Sequence, residues 1–159
     1  MSDIKARNSM LTHYFGATVP YGNASILSYH LETNAIGAVV NGDSTDAIAD
    51  GDVIDLGELP EGFLLDDAQL FVIAGATASV TASLGFKYED GVDDAEIPQD
   101  AEYFLAAGAD LATAGRLRAD GGKLVILPKT ARLILTVAGA VDQESAIRVT
   151  VTGELTGAK

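Results

Sequence analysis

The stretch Val80-Thr-Ala-Ser-Leu-Gly-Phe86 decides how the rest of the chain is read. Its apolar residues, Val80, Ala82, Leu84 and Phe86, occupy every second position, with Thr81 and Ser83 between them. Successive side chains of an extended strand point to opposite faces, so this spacing buries one face and wets the other. Arg132-Leu-Ile-Leu-Thr-Val137 repeats the pattern with Leu133, Leu135 and Val137 inward, and Ala146-Ile-Arg-Val-Thr-Val-Thr152 repeats it with Ile147, Val149 and Val151. Half-buried strands of this kind belong to antiparallel sheets with one solvated face.

Outward from these three, further strand candidates are 25–31, 35–40, 52–56, 68–74, 115–119 and 123–127. The punctuation between them agrees. Pro20, Pro60, Pro98 and Pro128 fall between apolar segments, and Leu59-Pro60-Glu61-Gly62 has the chemistry of a tight turn. Asn41-Gly42, Asp50-Gly51, Asp90-Gly91 and Asp120-Gly121-Gly122 mark others. Short strands at 10- to 15-residue spacing predict an all-β chain, an antiparallel two-sheet β-sandwich that is jelly-roll-like. One short helix is expected over 99–107, where Ala101, Phe104 and Leu105 share a helical face. Residues 1–24 show neither period and read as an N-terminal arm, with Tyr14 and Phe15 available to pack on a neighbouring subunit; residues 25–159 read as the sandwich domain.

The 159 residues suit a single core, 48% hydrophobic content with 21% charged residues argues for a folded chain, and the absence of Cys leaves that core to be held by packing. The net charge of −13 has the wrong sign for a phosphate backbone, so nucleic acid is not an expected partner. No apolar stretch has signal-peptide or membrane-spanning length, so a soluble protein made in the cytoplasm, with no membrane partner, is expected. The charge is unevenly distributed. Residues 43–110 hold 17 acids and one base, whereas residues 111–159 hold seven bases and four acids. An acidic surface and a neutral to basic one are expected.

The search for chemistry excludes more than it finds. His13 and His30 are the only histidines, and no G-x-S-x-G elbow, phosphate loop or Cys-based zinc spacing accompanies them. Residues 89–102 place seven carboxylates in fourteen positions without the EF-hand spacing, so solvated loops are expected there and Ca²⁺ is not assigned. Trp is absent and aromatic residues make up 6%, against the stacking platforms of sugar-cleaving clefts. No enzyme and no cofactor are expected, and residue chemistry alone names no function.

A resemblance supplies one. Asp52-Val-Ile-Asp-Leu-Gly-Glu-Leu-Pro-Glu-Gly62, a strand ending in L-G followed by L-P-x-G, resembles a recurring phrase in small structural proteins of tailed-bacteriophage heads. Ala68-Gln-Leu-Phe-Val72, Ala82-Ser-Leu-Gly-Phe86, Ala101-Glu-Tyr-Phe104 and Ile147-Arg-Val-Thr-Val-Thr152 are similar to the segments that follow it there, in the same order. The resemblance covers roughly residues 52 to 152. It implies a non-enzymatic capsid decoration (cement) protein on the virion exterior, synthesised in the host cytoplasm, with the major capsid protein as partner. A homo-oligomer, a trimer first, would match the threefold sites of a capsid. Subunit or capsid contacts are then expected from Arg7, Tyr14, Phe15, Arg116, Arg118 and Lys123, on the less acidic parts of the chain. The alternative is a tail or baseplate module, a receptor- or glycan-binding β-sandwich.

Overall fold

The computed structural model describes residues 3–5, 24–121 and 123–156. Ten strands are described: β1 (Asp3–Lys5), β2 (Ala24–Thr33), β3 (Val53–Leu59), β4 (Phe63–Ala74), β5 (Thr81–Tyr88), β6 (Asp100–Asp110), β7 (Gly115–Arg118), β8 (Val125–Ile126), β9 (Ala131–Ala138) and β10 (Ser145–Leu155). They form two sheets, ordered β1-β3-β9-β5-β6 and β2-β10-β4-β7, with β8 also paired to β4. All pairings are antiparallel except that of β1 with β3, which is parallel. From β2 onward the chain changes sheet at every connection except β5–β6 and β7–β8. With β1 and β8 set aside, this leaves two four-stranded layers in the interleaved order of a jelly roll.

The three segments that set the sequence reading become β5, β9 and β10, each with neighbours on both sides. Their inward residues fill the space between the layers. Val80, Leu84, Phe86, Leu133, Leu135, Val137, Ile147, Val149 and Val151 are all at most 3% exposed. Leu70 and Leu65 of β4, Ile54 and Leu59 of β3 and Leu27 of β2 join the same cluster. Full burial of one such aliphatic side chain contributes about 1.5–3 kcal/mol, and this layer of packing stands in for the missing disulfides. The polar groups that enter it have partners. Tyr29 donates its hydroxyl to the Glu58 carbonyl at 2.7 Å, and burial pushes its phenol well above the ordinary value. Thr33 and Ser145 share a hydrogen bond at 2.9 Å.

Three expectations are corrected. Residues 99–107 form no helix; they lie in β6. The register explains the misreading: Thr81 pairs with Asp110 and Phe86 with Asp100, so six residues of β5 run beside eleven of β6, with two register shifts between them. Extra residues break the period of two, and Phe104 and Leu105 are buried side by side. Residues 35–40 form turns with the isolated bridges Thr33↔Val39 and Ala38↔Ala47 in place of a strand. Of 123–127, Val125 and Ile126 alone are extended into a ladder.

The loops gather at two ends. At one, Val141 donates to the Ile48 carbonyl, Ala76 to Leu111 and Gln143 to Gly75, joining the β2–β3, β4–β5, β6–β7 and β9–β10 connections. At the other, Gly62 donates to Leu127 and Glu89 to Thr130. Asp43, Asp46, Asp50, Asp142 and Glu144 belong to the first end, and Glu89, Asp90, Asp93, Asp94 and Glu96 to the second. Ten acids therefore lie at the two ends, and Arg116, Arg118 and Arg148 lie on the sheet between them.

Candidate interaction face

The outer face of the β10 sheet is assembled by register. Arg148 of β10 stands opposite His30 of β2 on one side and Phe71 of β4 on the other, and Phe71 in turn stands opposite Arg116 of β7. The next row is Ser28, Thr150, Gln69 and Arg118, followed by Ile26, Thr152 and Asp67. These residues face out because their chain neighbours, Leu27, Tyr29, Leu31, Leu70, Val72, Val149 and Val151, face the core.

The cations are held in place by what lies beside them. The Arg116 guanidinium sits 4.5 Å from the centre of the Phe71 ring, a stacking worth about 0.5–1 kcal/mol at an exposed site. Arg148 donates Nε–H to the Ser28 hydroxyl at 3.2 Å. Arg118 donates from Nε and Nη2 to one Asp67 carboxylate oxygen, at 3.0 and 2.8 Å. These three rows carry three guanidinium groups and one carboxylate, with Glu32 and Glu154 on the rows to either side. Exposed Ile26 and Ile73, 66% and 62% accessible, lie at the edges of the same face. A flat surface of oriented arginines, hydroxyls and isolated apolar groups suits contact with an acidic, flat protein surface.

Two of the six expected contact residues, Arg116 and Arg118, meet on this face. Lys123 lies elsewhere, beside β6, where its carbonyl accepts the Tyr103 hydroxyl. Arg7, Tyr14 and Phe15 lie outside the described residues. Arg148, Phe71 and His30 belong to the face and were not singled out from sequence. The alternation of 146–152 already put Arg148 on the wet side; which strand stands next to β10 could not be read from it.

The acidic segment is organised by its own backbone. Asp94 accepts the amides of Glu96 and Ile97, Asp93 that of Gln99, and Asp90 that of Val92. Lys129 donates Nζ–H to Asp90 at 2.7 Å and lies 4.5 Å from the Tyr88 ring centre, and its hydrogen bond, followed by the Val92 amide, holds the Asp90 carboxyl below its ordinary value. Tyr88 donates to the Ile97 carbonyl beneath the loop, and burial pushes its phenol up to about 12. Carboxylates spent on turn amides are poorly disposed to converge on an ion. Among the described residues no group of three or more His, Asp or Glu is placed to hold a metal, and no helix is long and apolar enough to cross a membrane.

No family model matches this chain, and neither does any curated protein sequence. Solved structures do. A chain in the capsid of Ralstonia phage GP4 superposes with a TM-score of 0.64 at 15% identity, over 99% of this chain and 100% of that one. A chain of the cyanophage Pam1 capsid asymmetric unit gives a TM-score of 0.59 at 19% identity, over 94% and 98%. At these identities the likeness is one of fold, and it extends over nearly the whole of both chains.

Proposed function

We propose that this protein is a non-enzymatic structural component of a tailed-phage virion, a decoration protein that lies on the outside of the head and stabilises it. The observation that carries the reading is the near end-to-end correspondence with chains of two phage capsids, agreeing with the order of the L-G-x-L-P-x-G, S-L-G and A-x-x-F segments along the sequence. Fold alone does not specify a role, so the surface has to supply the rest. The arginine face of the β10 sheet is the contact surface toward the major capsid protein, because the acidic loop ends would be repelled by another acidic shell. Residues 1–24 act as an anchoring arm, and a trimer matches the threefold sites of a capsid. With the acidic ends turned away from the shell, the particle surface stays soluble at high local protein density.

The alternative, a glycan-binding tail module, would draw on the groove beside β6. Of the two aromatic residues that line it, Phe86 is buried, and Tyr103 meets Phe86 and Phe104 in edge-on contacts and has its hydroxyl committed to Lys123, so the ring that a sugar would stack on is engaged.

Co-sedimentation of the purified chain with undecorated capsids of its own phage tests the reading. The intact chain should pellet with the capsids, and Arg116→Glu with Arg148→Glu should weaken attachment about tenfold or more. A chain that never co-sediments overturns the decoration role; an unweakened double variant overturns the choice of face.

A further inference from the structure

A second surface on the molecule has the opposite character. Between β6, the end of the β5–β6 loop and the chain leading into β8 runs an open groove of about 660 Å³. Phe86, Tyr103 and Val125 line its floor, and four carboxylates, Glu96, Asp100, Glu102 and Asp120, stand around it with one cation, Lys123. The carboxylates and Lys123 are exposed, while Phe86 is buried and Tyr103 and Val125 half-buried. β6 is the last strand of its sheet, so one side of it has no strand neighbour among the described residues.

We propose that this groove is the docking site for an extended segment, bearing lysine or arginine, of another protein of the particle. The volume accommodates several side chains. An apolar floor takes the methylene stems of Lys or Arg while the charged heads reach the carboxylates above, the division of labour that these long side chains favour. An acidic segment would meet like charge on the rim, and a purely apolar one would leave those carboxylates partly desolvated without partners. The same chain then has two complementary contacts: guanidinium groups presented outward from the β10 sheet, and carboxylates presented around the groove. The proposal rests on the virion reading for the source of the segment, and not for the chemistry that the groove selects.

The probe is a fluorescein-labelled peptide, Gly-Lys-Val-Lys-Leu-Lys-Gly, titrated with the full chain at physiological salt and followed by anisotropy. Saturable binding is expected, with Glu102→Lys plus Asp120→Lys weakening it at least about tenfold. The control pair Asp43→Lys plus Asp46→Lys makes the same change of net charge at the opposite end and should leave the affinity within about twofold. No binding of the lysine peptide, equal binding of its glutamate counterpart, or equal losses from the two charge reversals would each overturn the proposal. Failure here with capsid co-sedimentation intact removes the groove alone; peptide binding without co-sedimentation removes the decoration role alone.

Discussion

The two sheets are made of strands with similar alternating sequences, and they end in different environments. In the β10 sheet burial follows the alternation: Leu27, Tyr29, Leu31, Val149 and Val151 are inside, whereas Ile26, His30, Glu32 and Arg148 are exposed. In the β5 sheet some outward residues are buried as well. Ser83, Ile134 and Asp55 are each 5% exposed, and the Asp100–Ala101 backbone lies against Gly85. A wet face is free to carry recognition, whereas a covered one is bound to structure. The contrast is sharpest in two arginine–aspartate pairs. Arg118–Asp67 on the β10 sheet is 69% and 23% exposed by side chain; Arg132–Asp55 on the β5 sheet is 11% and 7% exposed, with Nε 3.0 Å from the carboxylate.

Those pairs provide the largest test. Arg132→Ala leaves the Asp55 carboxylate buried without its cation and should cost about 3–5 kcal/mol, while Arg118→Ala, on an exposed pair, should cost no more than about 1 kcal/mol. Urea denaturation midpoints of the two variants decide it; equal losses would erase the distinction between the sheets. A smaller effect is expected at Gly85, where an added Cβ would lie 2.0 Å from the Asp100 carbonyl oxygen. Gly85→Ala should therefore destabilise by about 1–3 kcal/mol as the bulged strand is pushed off, and Gly121→Ala, with open space at its Cβ, should be close to neutral. A thermal melt unchanged by Gly85→Ala would mean that β6 does not lie over β5 as described.

The smallest expected effect belongs to the loop between these strands. Asp90, held below its ordinary value by Lys129, stabilises the loop fully above the unfolded carboxylate value near 3.9, and that contribution fades as pH falls through the lowered folded value. The protection factor of the Val92 amide, its exchange rate relative to the intrinsic rate at the same pH, should fall on acidification below about pH 4 while the sheet amides stay protected. Loss of both together would show that the loop has no separate role.

The same contrast explains what the sequence disclosed. Strands with neighbours on both sides and an uninterrupted period, β5, β9 and β10, were legible because alternation alone determines which side chains meet the core. β6 was not, because its spare residues bring Ala101, Phe104 and Leu105 to a spacing that a helix would share, and the register against which they bulge is that of β5, whose paired residues are fourteen or more positions away. The arginine face was half legible. Arg116 and Arg118 alternate visibly, but their relation to Arg148, Phe71 and His30 exists only across strand pairings that join residues 30, 71, 116 and 148. The groove was not foreseen, since its rim comes from three separate segments.

The position of β9 and β10 in the layers has a consequence for how the protein is made. They are the last two of the described strands to leave the ribosome, yet each is the central plank between strands synthesised long before: β9 between β3 and β5, β10 between β2 and β4. Until residue 138 or so is free the β5 layer lacks its middle, and until residue 155 or so the β10 layer lacks its own, although β5 can already pair with β6 and β4 with β7. Closure of the two layers is thereby deferred until β10 has emerged, with slow, long-range pairing as its cost. A chain cut short before β10 lacks the middle of one layer, so such products are excluded from any lattice that selects for the finished shape.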